Sequence, residues 1–130
     1  MANSLTTEII VDGPRNAVTK TVGIVDTADI TPTDIVDPAN FVPIPTKFRI
    51  DRIQYTVEEG ITVRLWWDAT SDVYIATLDG AGFLDAKRFG GFPNNAGSGV
   101  TGKIQCSTEG YASGTQAFTF SLELVKDGVQ

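Results

Sequence analysis

The stretch FTFSLEL, residues 118–124, puts Phe118, Phe120, Leu122 and Leu124 on one parity and Thr119, Ser121 and Glu123 on the other. Strict alternation of this kind belongs to a strand with one buried face, because successive side chains point to opposite sides of a sheet. The pattern recurs at 61–68, where Ile61, Val63, Leu65 and Trp67 share a parity and Thr62, Arg64, Trp66 and Asp68 take the other. A third strand, 72–78, follows the turn-forming run Asp68-Ala-Thr-Ser-Asp, so the two read as a hairpin. Helical spacing is hard to find anywhere, and the chain is expected to be all-β.

Further strands follow from the same reading. Residues 47–57 carry Phe48 and Ile50 on one parity but Ile53, Tyr55 and Val57 on the other, so a β-bulge is expected near Asp51 and Arg52. Glu58, Glu59 and Gly60 then turn this strand into the one bearing the tryptophans. Val100, Ile104 and Cys106 mark another, closed by EGYASG. Residues 7–11 and 17–25 are two more, separated by the turn cluster DGPRN. Seven or eight short strands at this spacing predict an antiparallel β-sandwich, jelly-roll-like, in a single domain over 1–130.

Two segments are expected to be loops. Residues 27–46 hold four of the six prolines and read as a crossover arm between sheets. Residues 79–99 hold six glycines with Phe83, Phe89 and Phe92 among them, and that aromatic content implies a loop packed on something.

Composition excludes several functions. With no histidine and one cysteine, the chain lacks the commonest general base, the commonest metal ligand and any intrachain disulfide. The formal net charge is −6, and the ten Lys and Arg are dispersed apart from the pair Lys87-Arg88, so no basic stripe exists for direct nucleic-acid contact. No apolar run approaches the roughly 20 residues of a membrane helix, and the first residues have neither a basic region nor an apolar signal core. Synthesis in a cytoplasm and no membrane partner are the expectations.

Local motifs are read the same way. The run GGFPNNAGSG, 90–99, has neither the Lys-Ser/Thr ending of a phosphate-binding loop nor a strand-to-helix setting, and its glycines read as turn formers. Asp26, Asp29, Asp34 and Asp37 match no calcium-loop spacing. Asp68 and Asp72 are a carboxylate pair of the kind glycoside hydrolysis uses, but they flank a hairpin turn, where turn-forming Asp is the default reading. Cys106, in phase with Ile104, reads as a small buried residue. No catalytic residue, cofactor or metal site is therefore expected.

The remaining signal is Trp66, left on the outer face with Arg64. Three readings stand: a roof formed by the long loop, a protein interface, or a stacking platform for a sugar ring. The interface reading takes Trp66, Arg64, Phe89 and Phe92 as its residues, and the sugar reading adds Tyr74 or Tyr111.

Several phrases together resemble a set of small virion structural proteins of tailed bacteriophages and related prophages: EIIVDGPRNAV at 8–18, RIDRIQY at 49–55, VRLWWDAT at 63–70, FGGFPNNAG at 89–97 and SLELVK at 121–126. The resemblance spans nearly the whole chain. It implies a virion part, and among such parts the size, strand content and acidity look most like a capsid decoration, or cement, protein. Its expected partners are the major capsid protein and itself, as a homotrimer, on the capsid exterior. Residues 1–7 would then be an arm that orders on the capsid or on a neighbouring copy. A tail or head-to-tail connector component is the alternative within the virion, and a lectin-like carbohydrate-binding module the alternative of another class.

Overall fold

The computed structural model describes residues 3–127, except for the Phe89 side chain. Its described residues form nine strands: β1 (Ser4–Asp12), β2 (Asn16–Val25), β3 (Thr33–Val36), β4 (Lys47–Val57), β5 (Thr62–Trp67), β6 (Val73–Leu78), β7 (Ala81–Asp85), β8 (Ile104–Glu109) and β9 (Gln116–Asp127). They build two antiparallel sheets, one in the order β1-β2-β9-β4-β7 and one in the order β3-β8-β5-β6. Only β1-β2 and β5-β6 are hairpins between sequence neighbours; every other connection passes from one sheet to the other.

The inner faces supply the core. Phe118, Phe120, Leu122 and Leu124 of β9 are buried, as are Phe48, Ile50, Ile53 and Val57 of β4. Opposite them lie Val63, Leu65 and Trp67 of β5 with Ile61 just before it, and Ile104 and Cys106 of β8. The expected bulge is present: the register of β4 against β9 slips between Ile50 and Arg52, which lets both Ile50 and Ile53 point inward. Gly23 has its own reason, since a Cβ there would stand 2.1 Å from Cζ of Phe118. The large rings of β9 fill the space that β2 leaves open.

Four local expectations are corrected. The 27–46 segment contains β3 and a 3-10 turn at Pro38–Asn40; with only four residues, set between Pro32 and Pro38, β3 is too short to show an alternation. The 79–99 segment contains β7, whose Gly82 disguises it: the Tyr55 hydroxyl lies 2.6 Å from where a Cβ would be, so the glycine makes room for a neighbour within a strand. Phe83, on that edge strand, is 55% exposed rather than packed. Val100 precedes β8 and is exposed, because strand pairing starts only at Ile104. The total is nine strands where seven or eight were expected.

At the N-terminus, Ser4 to Thr7 belong to β1 and pair with Ile24 to Thr21 of β2 instead of forming a separate arm. Asn3 fastens the strand's start, its Oδ1 accepting the backbone N–H groups of Asp26 and Thr27. Met1 and Ala2 lie outside the described residues. The other end of β1 is closed by Asp12, whose carboxylate accepts from Lys126 Nζ at 2.6 Å and from the Val42 N–H at 2.9 Å. The Lys126 side chain is wholly shielded, with Nζ 5.7 Å from the centre of the Phe41 ring.

Candidate functional site

Alternation along β5 sends Thr62, Arg64 and Trp66 to the outer face of the four-stranded sheet. Pairing sets Gln105, Ser107 and Glu109 of β8 opposite them on one side. On the other side β6 brings Thr77 opposite Arg64 and, after a register slip, Tyr74 opposite Trp66. Without that slip Trp66 would face Ile75, so the irregularity is what joins the two aromatic side chains.

Trp66 is half-buried, and its contacts come from neighbouring strands of its own sheet. Its Nε1 donates to Ser107 Oγ at 2.9 Å, and its ring meets Tyr74 edge to face, with centroids 5.1 Å apart and planes at 74°. Ser107 is consequently only 6% exposed, while Tyr74 remains 44% exposed. Arg64 reaches both ways: Nη1 is 2.6 Å from Glu109 Oε1, and its guanidinium carbon lies 5.7 Å from the Tyr74 ring centre. On the far side Gln105 Nε2 donates to Asp34 Oδ1, and Lys103 pairs with the same carboxylate at 3.4 Å. The hydrogen bond to Asp34 holds the Lys103 ammonium above its usual pKa. The result is an aromatic centre within a rim of paired charges, the composition typical of a binding hot spot.

Two polar atoms on this face are shielded and unpaired among the described residues: Arg64 Nε and Gln105 Oε1. They belong to the side chains flanking Trp66, one two residues before it on β5 and one opposite it on β8.

Of the other expected interface residues, Phe92 sits elsewhere. Its backbone forms a two-bond bridge with Ile50 of β4, and its ring packs, partly buried, on the core. It approaches the aromatic face only through a cleft of about 130 Å³ that it lines together with Tyr74, Ile75 and Trp67. The Phe89 backbone closes the 3-10 turn Lys87–Phe89. Tyr111 is committed too, its one hydroxyl proton shared between the carbonyls of Asp26 and Gly114. Trp66 finds cover from Tyr74 and Ser107 of its own sheet, a partnership that only the strand register reveals.

The remaining motifs are spent on structure. The N–H groups of Gly90, Gly91 and Phe92 donate to the carbonyls of Lys87, Ala86 and Ile50, so these three amides are turned inward. Asp29 accepts from Thr108 Oγ1 and the Tyr111 N–H, Asp37 from the Ala39 N–H, Asp68 from Thr101 Oγ1 and Asp72 from the Ala69 N–H. Asp26 is held below the usual carboxylate range chiefly by the hydrogen bond from Thr115. Cys106 is buried, and desolvation pushes its thiol up to about 12. Among the described residues no group of three or more Cys, Asp or Glu side chains is arranged to hold a metal ion.

The chain matches no protein-family model, and no curated protein sequence matches it.

Proposed function

We propose that this protein is a bacteriophage virion structural protein, and within that class a capsid decoration protein that docks on the outer shell through the Trp66 face. The observation that carries the reading is the pairing of Trp66, Tyr74 and Arg64 at the centre of an otherwise polar outer sheet, since Trp, Tyr and Arg are the side chains that dominate binding energy at protein interfaces. The strand order lends support. With β1 set aside, β2-β9-β4-β7 facing β3-β8-β5-β6 reads as two interleaved Greek keys, a jelly roll with one strand added, an architecture common to viral shell and lectin domains. The acidity fits a place outside the shell, away from packaged DNA. Each copy would bury on the order of a thousand square ångströms across neighbouring capsid subunits, and many copies would act together.

Co-sedimentation of the purified protein with shells assembled from the major capsid protein encoded in the same genome tests the reading. Saturable binding at a fixed number of copies per capsid subunit supports it, and free protein remaining in the supernatant contradicts it. Sizing with light scattering distinguishes the homotrimer that the family resemblance implies from rings or tubes, which would favour a tail or connector component. The lectin-like reading has one observation of its own, the unpaired Arg64 Nε and Gln105 Oε1 beside an aromatic pair. Quenching of Trp fluorescence by host polysaccharide but not by capsid shells would favour it.

A further inference from the structure

Four strands lie at sheet edges: β1 and β7 in one sheet, β3 and β6 in the other. Their lengths are nine, five, four and six residues, so β1 is the longest row of backbone donors and acceptors with a strand on one side only. Such an edge is a template for another strand. It is also apolar: Ile9, Ile10 and Val11 are 39%, 50% and 47% exposed, and Val42, held to Asp12 by its N–H, is 76% exposed.

The sequence of this edge is complementary to itself. Pairing with β2 sets Leu5, Thr7 and Ile9 opposite Gly23, Thr21 and Thr19, all buried, so these three residues face inward. Thr6 and Glu8 face outward. Reversed about Thr7, the run Leu-Thr-Thr-Glu-Ile lays Leu5 opposite Ile9, Thr7 opposite Thr7 and Thr6 opposite Glu8, so within residues 5–9 each apolar residue meets an apolar one and no like charges oppose each other, while Ile10 comes opposite Ser4 at the margin. Glu8 already has a counterion in its own chain, Lys20 Nζ at 4.0 Å. The register slip between Ile9 and Val11 ends the regular stretch just past the last of these pairs.

We infer that β1 pairs with β1 of a second copy of this chain, antiparallel and centred on Thr7, joining two five-stranded sheets into one of ten strands. The operation is a twofold rotation that closes on itself, so this contact alone makes pairs rather than filaments, a dimer where the family resemblance implies a homotrimer. It exploits a surface on the opposite sheet from the Trp66 face and stands or falls separately from capsid binding.

Thr7→Cys tests the register directly. The only native thiol, Cys106, is buried, and directly opposed residues of an antiparallel pair have Cα atoms about 4.5–5.5 Å apart, within disulfide range. Under mild oxidation T7C is expected to form a covalent dimer, T6C alone to form none, and a mixture of T6C with E8C to form a mixed dimer. A T7C protein that folds, by its circular dichroism, yet keeps its thiol free at about 100 μM would overturn the inference, as would equal cross-linking of T7C and T6C. Should T7C fail to fold, sedimentation of the wild type against Ile9→Lys decides. The inference expects the lysine to weaken self-association at least tenfold, and identical mass distributions for the two proteins overturn it.

Discussion

Trp66 and Trp67 are adjacent in sequence and opposite in fate: Trp67 is 2% exposed in the core, while Trp66 donates to Ser107 on the outer face and meets Tyr74 edge to face. Neighbouring identical side chains thus probe the two sides of one sheet.

Trp67→Ala removes a filled core volume and is expected to cost about 3–5 kcal/mol of folding stability. Trp66→Ala leaves the core intact and is expected to cost clearly less, since its ring is only half covered. Urea denaturation of the two variants checks the difference. Equal losses would mean that Trp66 is a structural residue and would weaken the docking proposal.

The clip between Asp12 and Lys126 predicts a pH signature. The hydrogen bond from Lys126, with that from the Val42 N–H, holds the Asp12 carboxyl below its usual range. A carboxylate depressed in the folded state stabilises it fully above the unfolded pKa of about 3.9, and that contribution is lost as pH falls through the lower folded value. The gap in melting temperature between wild type and Asp12→Asn is therefore expected to be widest near neutral pH and to narrow below about pH 4. A gap that does not change with pH would contradict the assignment.

Gly23→Ala forces a methyl group to within 2.1 Å of the Phe118 ring and is expected to destabilise by about 1–3 kcal/mol through overpacking. Gly97→Ala, where nothing lies within 4 Å of the new carbon, serves as the control and is expected to be near neutral. Thermal melts of both variants make the comparison.

Cys106 offers a reporter of opening. A thiol raised to about 12 by burial carries little thiolate at neutral pH. Labelling by a thiol reagent is expected to be negligible in the native protein and complete in denaturant. Rapid labelling under native conditions would show that the β8 region opens easily.

Long alternations made much of this fold legible in the sequence. The inward sets of β5 and β9 and the bulge at Asp51 follow from residue parity alone. Strands β3 and β7 did not show, because four or five residues carry too little periodicity and Gly82 answers to Tyr55, a residue 27 positions away. The site was half visible. Parity places Trp66 and Arg64 on the outer face, and the inward phase of Cys106 implies that Gln105 and Ser107 face outward as well. What brings Tyr74 onto Trp66 is the register slip between β5 and β6, which depends on strand pairing and leaves no mark in local pattern. Phe92 was misplaced for a related reason: its bridge to Ile50 is a contact between distant segments.

On the proposed function, the Trp66 face holds the protein on a capsid. The most direct test is a binding isotherm on shells of the major capsid protein for the wild type and the Trp66→Ala, Tyr74→Ala double variant, both first shown to be folded. Loss of two hot-spot residues predicts a dissociation constant raised about 30-fold or more, with the number of sites per shell unchanged. An unchanged isotherm for the folded double variant would contradict the account.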